Sequence, residues 1–214
     1  MVTRQGMFPT STRSNGVFTF AESPGRTAPD ARLIWHADCD PGILRATAAP
    51  TSSSDPDGIT PALLGRWLSV VADMSGEHVV LSDGWRHIRL DIACGSLDAG
   101  PVVLHYQLAG LVSAEHAILP LRRFLDLCRN RRFSVSLYPP DRRVARWIVV
   151  LRVHDALVAG ASQRDIARVL FGGDLALDTG ARESDSLRSR VRRLVADARR
   201  LAGGGYRLLM HQKE

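Results

Sequence analysis

"SLRSRVRRLVADARRLAGGGYRLL" (residues 186–209) carries seven arginines and a single acid, Asp197. Placing successive residues roughly 100° apart gathers Leu187, Val191, Leu194, Val195, Ala198 and Leu201 on one side. They fill an arc of about 120°, the width of a stripe that docks on other helices. Arg188, Arg192 and Arg199 fall on one flank, Arg193 and Arg200 on the far side, and Arg190 towards the opposite flank. Ser189 and Ala196 lie between the flanks and are small enough to permit close approach. The segment 184–202 therefore reads as an amphipathic helix with cap-competent Ser184, Asp185 and Ser186 at its start. Arg188 and Arg192 repeat like charge at i,i+4, which costs a few tenths of a kcal/mol in a free helix. A polyanion would relieve that cost, because each neutralised phosphate also releases condensed counterions.

Working upstream, "ASQRDIARVLFGG" (161–173) reads as a short helix capped by Ser162 with Asp165 in its first turn. Ile166, Val169 and Leu170 form its apolar stripe, and Gly172-Gly173 stop it. "DRRVARWIVVLRVHDALVAG" (141–160) has apolar residues on more than one face, which predicts a largely buried helix ending at Gly160. "SAEHAILPLRRFLDLCRNRRF" (113–133) predicts a helix opening near Ser113 and kinked or restarted at Pro120. Downstream, "GYRLLM" reads as a closing strand. Helix, short helix, basic helix and strand is the order of a helix-turn-helix unit with a wing-like end.

Before residue 111 the period changes. Trp85, His87, Arg89 and Asp91 alternate with Arg86, Ile88, Leu90 and Ile92, as in a half-buried strand. "EHVVLSD" before it and "PVVLHYQLAG" after it complete an expected antiparallel meander. "ALLGRWLSVVADM" (62–74) reads as a short helix, "ARLIWHADCDPGILRA" (31–46) as a strand and a turn at Asp40-Pro41-Gly42, and 49–61 as loop. The fold class expected is α+β. Its divisions are a disordered tail (1–30), a β-rich domain (31–110) and a helix-turn-helix-like domain (111–214).

Charge follows the same division. Residues 1–110 hold eight arginines against 11 acids, net −3, whereas 111–214 hold 19 arginines and one lysine against 11 acids, net +9. Such asymmetry points the C-terminal half at a polyanion. No apolar run approaches the roughly 20 residues of a membrane helix, and no secretory signal is evident, so a cytoplasmic protein is expected. Cys39, Cys94 and Cys128 are odd in number and far apart. They predict neither a disulfide framework nor a zinc site. There is no phosphate-cradling glycine motif, no G-x-S-x-G and no H-E-x-x-H. Asp38 and Asp40 beside Pro41-Gly42 read as turn formers, His87 and His105 as strand residues, and the four tryptophans as core anchors. Neither enzyme chemistry nor a cofactor is expected.

The functional expectation is thus a binding protein for double-stranded DNA. Gln163 and Arg164 are the candidate phosphate contacts of the short helix. Arg188 and Ser189, near the start of the basic helix, are candidates for base edges, since that end of a recognition helix enters the major groove. Arg192, Arg193, Arg199 and Arg200 are assigned to the backbone and Arg207 to a wing tip, and Ser186 and Arg190 complete the set of candidate DNA-binding residues. Operator symmetry makes a homo-oligomer the expected assembly.

"RRVARWIVVLRVHDALVAGASQRDIARVLFG" and "DSLRSRVRRLVADARRLAGGGYRLL", with "LSDGWRHIRLDIACGSLDAGPV" upstream, carry a family resemblance. The chain resembles the proteobacterial domain of unknown function 2285 over roughly residues 31–210. That family looks like transcription regulators: the DNA-binding domain of a type VI secretion activator, activators of mobile-element excision, and a small antiactivator that binds protein. The resemblance implies regulation, with DNA or another transcription regulator as partner. The long inter-helix loop (172–183) departs from a compact helix-turn-helix.

Overall fold

The strand at 87–92 lies inside a sheet covered on both sides. The computed structural model describes residues 3–5, 31–172 and 181–210. Its strands are β1 (Thr3–Gln5), β2 (Leu44–Pro50), β3 (Leu68–Asp73), β4 (Gly76–Ser82), β5 (His87–Ile92) and β6 (Val102–Tyr106). They line up in the order β1-β3-β4-β5-β2-β6. β3, β4 and β5 form a consecutive antiparallel meander. β2 then joins β5 in parallel, and β6 closes antiparallel on β2.

The expected meander of the 77–83, 85–93 and 101–110 runs is therefore corrected. β6 pairs with β2, not with β5, and β3 takes the outer place in the meander. The helix expected over 62–74 shrinks to one turn, α1 (Pro61–Leu64). Beyond Gly65 the chain extends, because Leu68 and Val70 can drop into the sheet core while the backbone pairs with β4. Branched Val70 and Val71 suit that pleat better than a helix. Within the expected tail, Thr3–Gln5 run parallel to Ser69–Val71, and its other residues lie outside the described ones.

A 20-residue helix, α2 (Leu111–Asn130), packs on one face of the sheet and continues through Pro120. It starts at Leu111, after Gly110 at the N-cap, rather than near Ser113, and buries Ala117, Phe124 and Leu127 against Leu44, Leu81, Leu90 and their neighbours. Burying that set at about 25 cal/mol per Å² supplies most of what holds this layer together. On the other face Ile34 packs with Val71 and Val80. This second cover explains why Arg89, expected on the wet side of a half-buried strand, is 1% exposed. Residues 1–139 make one compact unit and 140–214 a second. The compact division at 139/140 leaves α2 with the sheet, because its apolar face belongs to the sheet core.

The second unit contains α3 (Val144–Val158), α4 (Gln163–Phe171) and α5 (Ala181–Arg200). Val150, Val153, Ile166, Val191, Leu194, Val195 and Ala198 form its core. α3 is less buried than its composition predicts. Among the described residues only one side of it meets α4 and α5, so Ile148, Leu151 and Val158 stay exposed. Val169, expected in the stripe of α4, is also exposed. Among the described residues no wing-like strand closes the unit. Gly204 takes φ 105°, which ends the helical run, and Arg207–Met210 form a last turn, α6. Among the described residues of this unit there is no strand for "GYRLLM" to pair with. Tyr206, Leu209 and Met210 have helical spacing instead, and all three are half-buried.

Among the described residues no helix is long and apolar enough to cross a membrane. The three cysteines are free thiols. Asp40 Oδ1 accepts from Gly42 N at 2.9 Å, a turn role. Trp67 is a core residue, but Trp85 stands 82% exposed at the β4–β5 hairpin, against the expectation of a core anchor.

Candidate nucleic-acid interface

α4 begins with a complete capping box. Asp165 N donates to Ser162 Oγ at 3.2 Å, and Ser162 N donates to Asp165 Oδ2 at 3.1 Å. The Ser162 hydroxyl also donates to Asp165 Oδ2 at 2.6 Å, and this bond most, with that from Ser162 N, holds the Asp165 carboxyl below the usual carboxylate range. The cap fixes the start of α4, so Gln163 and Arg164 stand exposed in its first turn, where N–H groups and the helix dipole favour an anion. Ile166 anchors the opposite side in the core.

α5 starts at Ala181, three residues earlier than its sequence suggests, so Ser184, Asp185 and Ser186 lie within the helix rather than capping it. Twenty residues give a rod of about 30 Å. Val191, Leu194, Val195 and Ala198 are buried, with Leu187 and Leu201 partly so, as the projection requires. Ser186, Arg188, Arg190, Arg192, Arg193, Arg199 and Arg200 are all exposed, and Ser189 is half-exposed.

Their electrostatic states differ. Arg188 pairs with Asp185 at 3.3 Å, and Arg200 with Asp197 at 3.5 Å. Arg146 of α3 holds the same Asp197 at 2.6 Å, and this bond contributes most to lowering the Asp197 pKa. Arg190 lies over the Phe171 ring at 4.7 Å, tying α5 to the end of α4. Arg192, Arg193 and Arg199 have no carboxylate partner among the described residues. Among the described residues no acid offsets these three exposed cations. Arg207 is exposed on α6, where no wing carries it.

The projection also missed a participant. Arg146, Arg190 and Arg193 line a cleft of about 560 Å³ with Ala145, Val149, Leu170, Phe171 and Leu194. The cluster "RRVARW" (142–147) was the available signal, but reading α3 as a buried helix hid it.

Residues 110–211 match the family model of the RovC DNA-binding domain, a DNA-binding domain of a type VI secretion (T6SS) transcription factor. The matched region begins one residue before α2 and ends one residue after α6. It therefore contains all of α4 and α5, and its first helix is the one that packs on the sheet. No curated protein matches the chain as a relative.

Proposed function

We propose that this chain is a sequence-specific regulator of transcription that reads duplex DNA with α5. One observation carries the reading. In a region that matches a transcription-factor DNA-binding domain, α5 exposes Arg192, Arg193 and Arg199 without a carboxylate partner among the described residues. In this reading the early part of α5 enters the major groove. Arg188 exchanges Asp185 for a guanine edge, with Ser186 and Ser189 beside it. Arg192, Arg193 and Arg199 hold phosphates, together with Gln163 and Arg164 at the start of α4. Arg190 and Arg200 serve mainly in place, on Phe171 and Asp197. Arg207 reaches the backbone only from the last turn. The chain acts in the cytoplasm as a homo-oligomer that mirrors operator symmetry, and carries out no catalytic step.

A second reading has its own support: the face already accepts carboxylates from Asp185 and Asp197, so an acidic regulator protein would fit it, as an antiactivator would. Selection from random duplex DNA at two salt concentrations separates the two, with Arg188→Ala/Arg192→Ala protein in parallel. The DNA reading expects an enriched motif that the variant loses. Folded protein that enriches no sequence would overturn it in favour of the protein partner.

A further inference from the structure

A second cationic surface lies in the unit of residues 1–139. Arg66, just before β3, donates from Nη2 to the Arg131 carbonyl at 2.9 Å, and its guanidinium lies 4.0 Å over the Trp67 ring. Arg131 in turn donates from Nη1 to the Leu63 carbonyl at 3.3 Å. Each guanidinium is thus held by a neutral carbonyl, which fixes its position without cancelling its charge. Neither has a carboxylate partner among the described residues. Arg129 and Arg132 stand exposed on either side of Arg131. Asp126 on α2 accepts from Ser134 Oγ at 2.5 Å and Asn130 Nδ2 at 2.7 Å; the Ser134 bond does most to hold its carboxyl below the usual range, and the charges of Arg132 and Arg122 add to it. Asp83 is taken by Arg86 at 3.3 Å.

A helix C-terminus attracts basic residues through its dipole, which accounts for Arg129. It does not account for Arg66, brought from 65 positions away to lie against Arg131. Two immobilised like charges repel, and the fold does nothing among the described residues to neutralise them. A row of phosphates would.

We propose that Arg66, Arg129, Arg131 and Arg132 form a second phosphate-binding surface, which grips the DNA backbone flanking the site read by α5. This rests on the DNA reading above. The short connection from Leu137 to Val144 makes the second contact intramolecular once the first has formed, at an effective concentration on the order of mM. The surface contributes affinity and length of contact, with no sequence preference of its own.

The test uses the full chain and the duplex selected above, long and trimmed, with Arg129→Gln/Arg132→Gln protein and, separately, Arg66→Gln protein checked for folding by its melting curve. The double variant is expected to flatten the log–log salt slope by about 1.8, from about 0.9 per lost phosphate contact. Its affinity deficit then narrows about tenfold between about 50 mM and about 200 mM salt. Hydroxyl-radical protection should shorten on one flank, while the enriched motif is unchanged. Wild-type slope and footprint in both variants would overturn this surface and leave the α5 reading standing. Wild-type protein that binds no duplex would overturn both.

Discussion

Arg89 and Arg199 carry the same group into opposite surroundings. Arg89, in the sheet, is 1% exposed and donates to the carbonyls of Val79, Leu90 and Trp35 and to Asp91 at 2.9 Å. Burial pulls its pKa down, and Asp91 opposes that pull. Arg199, on α5, is exposed and has no such partner among the described residues. The first guanidinium has its ligands within the fold, so its removal is felt in folding. The second has donors to spare, so its removal is felt in binding. Substitution can test this difference from both ends.

The largest effect is expected at Arg89. Arg89→Ala opens a void in the sheet and takes one partner from half-buried Asp91, which keeps His78, so the loss is expected at about 3 kcal/mol, the lower end for breaking a buried pair. Urea unfolding of the variant should show that loss with DNA binding retained by whatever fraction stays folded. On α5 the sign of the comparison reverses. Arg188→Ala should weaken binding to the selected duplex by about 1–3 kcal/mol and relax specificity at one base, while urea unfolding stays within about 0.5 kcal/mol of wild type. Anisotropy titration against the selected and a mismatched duplex reads the first half, and loss of affinity without loss of discrimination would remove Arg188 from the base edges.

Ser162→Ala lies between the two behaviours. It removes the capping box and should cost about 1 kcal/mol of stability in the helical unit, measured by thermal unfolding, with a smaller drop in affinity as Gln163 and Arg164 lose their fixed start. The smallest effect is a pH dependence confined to the sheet. His78 is buried between Asp91 at 2.8 Å and Asp73 at 3.1 Å. Burial opposes the charged ring, but the two carboxylates prevail and raise its pKa above 6.5. That contribution is complete below the unfolded value and fades as pH rises through the raised one. Desolvation resists ionisation of Asp73 and Asp91 too, yet their hydrogen bonds and neighbouring cations hold both below the usual carboxylate range, so theirs is lost as pH falls. Stability against pH should therefore fall on both sides of a plateau, and His78→Gln should remove the alkaline fall. An unchanged alkaline limb in that variant would place its origin elsewhere.

Much of the helical unit was legible because its signals are local. Ser162 and Asp165 are three residues apart, and the α5 stripe repeats at helical spacing, so both follow from sequence. The sheet was less legible, since its order depends on partners far apart in the chain. Nothing local says that Leu44–Pro50 inserts between β5 and β6, or that Val70 and Val71 prefer the pleat to a helix. Arg89 was misplaced for the same reason: alternation reveals two faces, but not that Ile34 and Trp35 cover the second. The wing failed on a missing partner, because a strand needs a neighbour that the helical unit does not show among its described residues. The Arg66–Arg131 contact was invisible from sequence, whereas Arg192, Arg193 and Arg199 were found because one helix carries them all.

The most direct test of the account is the salt dependence of binding to the selected duplex, for wild type and for Arg192→Ala/Arg193→Ala/Arg199→Ala protein. The account predicts a steep log–log slope for wild type, reduced by about 2.7 in the variant at about 0.9 per phosphate contact, with an unchanged melting curve. A variant that keeps both the wild-type affinity and the wild-type slope would show that the exposed face of α5 does not meet DNA.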